Sequence, residues 1–194
     1  MNHSDKPVDS LPKRYFYKLG SKFINIPVNI ISSAIIPRAL GVEAYGSYNF
    51  IVDFFTRLIS FFDSGSSVGF YSKLSQRIDE STLIRFYWGI ILIICSLIIL
   101  FASSVFVLGL QEKVWIGQKA LFIWLGLFVG LLSWINQLVN KIMDAYGLSV
   151  RGELSIVKQR LIGITILGIL YISGNLNLEI FFLYNFIILL ILLY

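Results

Sequence analysis

The chain is 194 residues long, 57% hydrophobic and 15% aromatic, with a formal net charge of +5. That composition and a mean hydropathy of +0.79 lie outside the range of soluble domains. The positive charge would suit nucleic acid, but there is no basic stripe and no nucleic-acid module; in a membrane protein such an excess marks cytoplasmic loops.

The first 22 residues carry Lys6, Lys13, Arg14, Lys18 and Lys22 without an apolar run, which excludes a cleavable signal peptide. They are expected to form a basic cytoplasmic leader, either unstructured or a short surface helix with Tyr15, Phe16 and Leu19 turned to lipid. Six transmembrane segments follow, near 23–40, 46–71, 84–110, 119–140, 155–173 and 178–194. The third contains 25 consecutive uncharged residues, 86–110, long enough for a hydrocarbon core roughly 30 Å thick. The first is interrupted by Pro27 and Pro37, and the fifth reaches its length only by including Lys158 and Arg160, expected to snorkel to the interface. The lone Cys95 lies inside the third segment, so no disulfide framework exists.

Loop charge sets the expected orientation. With the N-terminus in the cytoplasm, twelve of the 16 basic residues fall on that side. Arg38, Lys113 and Lys119 fall outside and Arg57 within the membrane, in keeping with the positive-inside rule.

Charges inside the second segment are the candidate functional residues. A charge at the bilayer centre costs about 2.5–3.5 kcal/mol on insertion scales, so such groups face a bundle interior or a hydrated cavity. Asp53 and Arg57 are four apart on one helical face. Either they form a self-neutralising pair that helps the helix insert, or Arg57 meets an anionic substrate while Asp53 positions it or couples to an ion. Asp63 is a further candidate for ion coupling or charge pairing, and Arg38 is either a second anion contact or an interfacial arginine. Asn136, Asn140 and Asp144 recur at i, i+4 and i+8 and form one polar helix face, suited to bonding across helices or to lining a hydrated path. Gly126–Gly130 and Gly65–Gly69 have the small-xxx-small spacing that permits close helix approach. His3 is the only histidine, and no Walker loop, dinucleotide fingerprint, nucleophile elbow or metal-spaced cluster occurs. Nothing therefore points to an enzyme, a cofactor or a metal.

Residues 37–48, Pro-Arg-Ala-Leu-Gly-Val-Glu-Ala-Tyr-Gly-Ser-Tyr, resemble the R-x-L-G-x-x-x-Y-G-x-Y signature of polysaccharide-exporter flippases of the O-antigen translocase type. These belong to the multidrug/oligosaccharidyl-lipid/polysaccharide exporter superfamily. Residues 61–73 are similar to that family's second-helix exit. Asp144-Ala145-Tyr146-Gly147 before 156–160 is similar to its loop between helices four and five. The resemblance implies an all-α, polytopic bundle of about six helices, one half of a two-bundle alternating-access transporter. It implies a multi-pass protein of the cell inner membrane that flips an undecaprenyl-diphosphate-linked oligosaccharide between leaflets. Arg57 and then Arg38 would contact the diphosphate. Partners would be membrane lipids and a second-half polypeptide or polysaccharide-assembly proteins, with no nucleic acid. The chain is about half the family's usual length and stops inside an apolar run, so it is expected to be a truncated chain or half-transporter. Two other readings remain: a cation-coupled small-molecule exporter of the same superfamily, and a non-transporting membrane fragment or assembly partner.

Overall fold

The computed structural model describes residues 10–76 and 81–193; the first nine residues of the expected leader, Arg77 and Tyr194 lie outside the described residues. Within that range all regular structure is helical: α1 Leu11–Leu40, α2 Val42–Asp63, α3 Ser66–Gln76, α4 Ser81–Val107, α5 Gln111–Val114, α6 Ala120–Ala145, α7 Ser149–Ile172 and α8 Leu178–Leu193. Four of these, α1, α4, α6 and α7, are long and apolar enough to cross a membrane, and α8 is a shorter apolar helix. The chain is an all-α membrane protein, as its composition implies. Helix α2 has 22 residues but carries Asp53 and Arg57 and is not among the four.

Three boundaries differ from those expected. Helix α1 begins at Leu11 and runs unbroken through Pro27 and Pro37, so the basic residues from Lys13 onward extend the same rod as the first apolar segment. Neighbouring helices and side chains can absorb the lost proline hydrogen bonds in such a setting. Second, 46–71 is two helices, because Ser64 (φ 39) and Gly65 (φ 82) both turn left-handed. Third, α7 starts at Ser149, six residues before its expected boundary, so Arg151, Glu153, Lys158 and Arg160 all stand on helix.

Helix α6 is the centre: over half of its most apolar stretch is buried, and α2, α3, α7 and α8 pack on it. Helix α4 covers α2 and α3, while α1 lies along α7 and also meets α2. The α1–α2 connection is Gly41 alone, at φ 83 and ψ 160, a region essentially restricted to glycine. At the other end Gly147 (φ 76) closes α6, with the Leu148 N–H donating back to Met143 O at 2.9 Å. This is the left-handed helix termination that favours glycine. Of the glycines in the family-like motifs, Gly41 and Gly147 are thus turn residues, whereas Gly46 lies within α2.

Helix α4 shows how lipid exposure is built. Tyr87, Ile91, Ile94, Ile98, Ala102 and Val105 are buried at helical spacing, while Phe86, Leu92, Ile93, Leu97 and Leu100 are apolar and exposed. Trp115, in the link after α5, is wholly buried and packs its ring on Phe54, Phe55 and Phe106.

The α2–α6 contact rests on two small residues. A Cβ at Gly126 would lie 2.2 Å from Ile51 Cγ2, and one at Gly130 would lie 3.3 Å from Phe55 Cβ. The same spacing at Gly65 and Gly69 brings nothing within 4 Å, so only the first pair is a helix contact. Gly126→Val should therefore destabilise the bundle by about 1–3 kcal/mol, the usual cost of overpacking. Adding Ile51→Ala should restore part of it, and Gly69→Ala should cost nothing. Thermal unfolding in detergent, read by circular dichroism, checks all three.

Candidate functional site

The burial of α2 decides where its charges point. Ile51, Phe55 and Ile59 are at most 1% exposed against α6. At about 100° per residue, Asp53 and Arg57 lie about 160–200° around the helix from Phe55. Both are exposed, as are Gly46, Thr56 and Ser60, and Asn49 is half-buried. These residues form a continuous polar strip along the side of α2 that faces away from its own bundle. Asp53 and Arg57 are not within ion-pair distance of each other, despite their i, i+4 spacing.

Depth can be read from the hairpin. Asn29 on α1 and Asp53 on α2 are each twelve positions from Gly41, about 18 Å along either helix at 1.5 Å per residue. Asn29 in turn accepts a hydrogen bond from Arg160 Nη1 of α7 at 2.7 Å. Arg160 is eleven residues into α7, near the middle of that helix and level with Asn29. Arg160 is the functional candidate that hydropathy misses. The apolar run begins only after it, so a sequence scan sets it at an edge; the polar helix start at Ser149 moves it inward. Beside it, α1, α7 and α8 enclose a crevice of about 270 Å³ lined by Ser32, Gln159, Arg160, Gly163, Tyr184 and Asn185 among others.

The remaining candidates occupy structural positions. Asp63 Oδ1 accepts from Ser66 Oγ at 2.6 Å and the Ser67 N–H at 3.0 Å, and Oδ2 accepts from Ser67 Oγ at 2.7 Å. It caps the start of α3, and Lys141 Nζ donates to Ser67 Oγ at 2.7 Å, tying that turn to α6. The polar face of α6 is spent between helices. Asn136 Nδ2 donates to Leu189 O of α8 at 2.9 Å, Asn140 lies against Gly152 of α7, and Asp144 pairs with Lys18 of α1 at 2.8 Å. Glu153 adds a bond from Ser21, again between α7 and α1. Arg38 is exposed in the last turn of α1, away from the Asp53–Arg57 level. The structure therefore sets Asp53, Arg57, Asn29 and Arg160 at comparable depth and separates them from Arg38, Asp63 and Asp144. No three His, Cys, Asp or Glu side chains converge as a metal site among the described residues.

Comparison with family models, curated proteins and solved structures finds no match to this chain. The functional reading therefore rests on the geometry and on the residues themselves.

Cysteine substitution tests the polar strip. In a Cys95→Ser background, Asp53→Cys and Arg57→Cys should react with a charged, membrane-impermeant thiol reagent at least tenfold faster than Phe55→Cys. Equal protection of all three in membranes would mean that the strip meets no water.

Proposed function

We propose that this chain is a transmembrane bundle of a flippase that carries a lipid-linked oligosaccharide from the cytoplasmic to the outer leaflet of the cell inner membrane. The observation that carries the reading is the outward-facing polar strip of α2, with Asp53 and Arg57 unpaired near half depth. Charges in that position need either a hydrated cavity or a second bundle opposite them. A substrate with a diphosphate and hydrated sugars needs such a cavity to cross hydrocarbon, and a guanidinium fork matches phosphate oxygens in pairs. The resemblance of 37–48 to the exporter signature supports the same assignment. In this reading α1, α2, α4, α6, α7 and α8 are six spans, both termini face the cytoplasm, and a second bundle on the same or another polypeptide completes the cavity. Arg57 contacts the diphosphate, Arg38 lies at the outer exit, and Asp53 positions Arg57 or couples the motion to an ion.

Asp53 also gives the alternative its force. An exposed, unpaired carboxylate at half depth suits a cation-coupled small-molecule exporter, in which Asp53 rather than Arg57 is the working charge. The reading as a non-transporting assembly partner accounts for Asn136, Asp144 and Gln159, which bond between helices, but leaves Asp53 and Arg57 without a role.

Orientation is checked by reporter fusions: those after Lys73 and Arg151 should read as cytoplasmic and those after Lys113 and Asn175 as external. A cytoplasmic reading at Lys113 would overturn the topology. Function is checked by polysaccharide display in a strain lacking its translocase, complemented with the protein containing this bundle. Arg57→Ala should abolish display without loss of membrane insertion, and Arg57→Lys should keep part of it. The double change Asp53→Asn with Arg57→Gln removes both charges; normal display from it would show that the charges are structural and the assignment wrong.

A further inference from the structure

The α1/α7/α8 crevice has a chemistry of its own. Its one charged lining residue is Arg160, and no Asp or Glu lines it. Among the described residues only one bond, from Nη1 to Asn29 Oδ1, engages that guanidinium, and Asn29 is neutral. The other polar lining groups divide into spent and free. Gln159 Nε2 donates to Ile188 O at 2.6 Å, which ties α7 to α8, and Asn185 Nδ2 donates to Phe181 O at 2.8 Å within α8. Among the described residues, Ser32 and Tyr184 make no hydrogen bond through their hydroxyls. Gly163 sets the position of the second: a Cβ there would lie 3.1 Å from Tyr184 Oη, so glycine lets that hydroxyl sit close against α7. The crevice thus offers a guanidinium and two hydroxyl donors with no acid to neutralise them.

We infer that this crevice binds a phosphate group carried on a hydrocarbon chain, with Arg160 as the charge partner and Ser32 and Tyr184 as hydrogen-bond donors. An unneutralised cation between apolar, membrane-crossing helices is costly until an anion joins it. Arg pairs with phosphate through parallel N–H bonds. The volume, about 270 Å³, is at the small end of ligand pockets and suits a headgroup rather than an oligosaccharide. Leu161 and Ile162, next to Arg160 on α7, expose apolar side chains beside which a lipid chain can lie. The inference deepens the proposed function, and rests on that reading only for taking the phosphate to be the anionic end of the carried lipid. It adds a phosphate contact in the crevice to the one that Arg57 offers on the open face of α2.

The test is binding to the purified full chain in nonionic detergent, using dodecyl phosphate, dodecanol and inorganic phosphate as probes. Dodecyl phosphate should raise the unfolding midpoint and saturate, while the other two at equal concentration should not. Arg160→Gln should weaken dodecyl phosphate binding at least tenfold, Arg160→Lys less, and Lys158→Gln, two residues away, about 200° around α7 and exposed, should leave it unchanged. Should Arg160→Gln fail to fold, Ser32→Phe fills the crevice while keeping the Arg160–Asn29 bond, and it should abolish binding. Equal stabilisation by dodecanol, or undiminished binding in either crevice variant, overturns the proposal. Equal binding of inorganic phosphate overturns its lipid source. Loss of display in the Arg57 variants with dodecyl phosphate binding intact would leave the crevice assignment standing on its own. Normal display from the Asp53–Arg57 double variant would remove the flippase reading without touching it.

Discussion

The close approach of α2 to α6 at Gly126 and Gly130 governs the rest of the bundle. Because neither glycine carries a side chain, Ile51 and Phe55 can press onto the backbone of α6, and α2 is fixed in rotation as well as position. Van der Waals contact of this kind supplies most of the association between helices in lipid, where burial of apolar surface brings little gain. Once Ile51, Phe55 and Ile59 face α6, helical geometry leaves Asp53, Thr56, Arg57 and Ser60 no direction but outward. A rotation of α2 by half a turn would bury two charges in a wholly apolar interface.

Polar side chains complete what the glycines begin, and they do so at two levels. Near half depth, Asn136 of α6 and Gln159 of α7 donate to the adjacent carbonyls of Leu189 and Ile188, gripping α8 from two sides. Interhelical bonds of this type contribute roughly 0.6–2 kcal/mol each. At the end where α6 turns into α7, Lys18 meets Asp144, Ser21 meets Glu153, and Lys141 reaches Ser67 beside the Asp63 cap. These bonds join α1, α3, α6 and α7, and they are made by residues that look like ordinary loop charges in the sequence. The consequence is a division: Asp63 and Asp144 are engaged in holding helices, whereas Asp53, Arg57 and Arg160 carry no ion pair among the described residues.

Those three divide between two surfaces. Asp53 and Arg57 lie on an open face, where long hydrated groups can pass. Arg160 lines a small crevice with hydroxyl donors, where a single anionic group fits.

The membrane character, the helical fold and the approximate location of each apolar segment were legible in the sequence, because a long uncharged run has few alternatives in water or lipid. Asp53 and Arg57 stood out as charges inside an apolar stretch, although the pairing their spacing allowed is not made, and of the two readings open for Asn136 the structure shows the interhelical bond. Local chemistry that depends on backbone angles was less visible: Ser64 and Gly65 break the second segment, and Asp63 caps the helix that follows. The place of Arg160 at the middle of its helix was hidden altogether, because hydropathy marks where charge ends and not where a helix begins. Which charges are free, and which are bound to another helix, only the tertiary structure decided. Lys18 and Asp144 are 126 residues apart in sequence, Asn29 and Arg160 are 131 apart, and no periodicity within one helix carries the rotation of its neighbour.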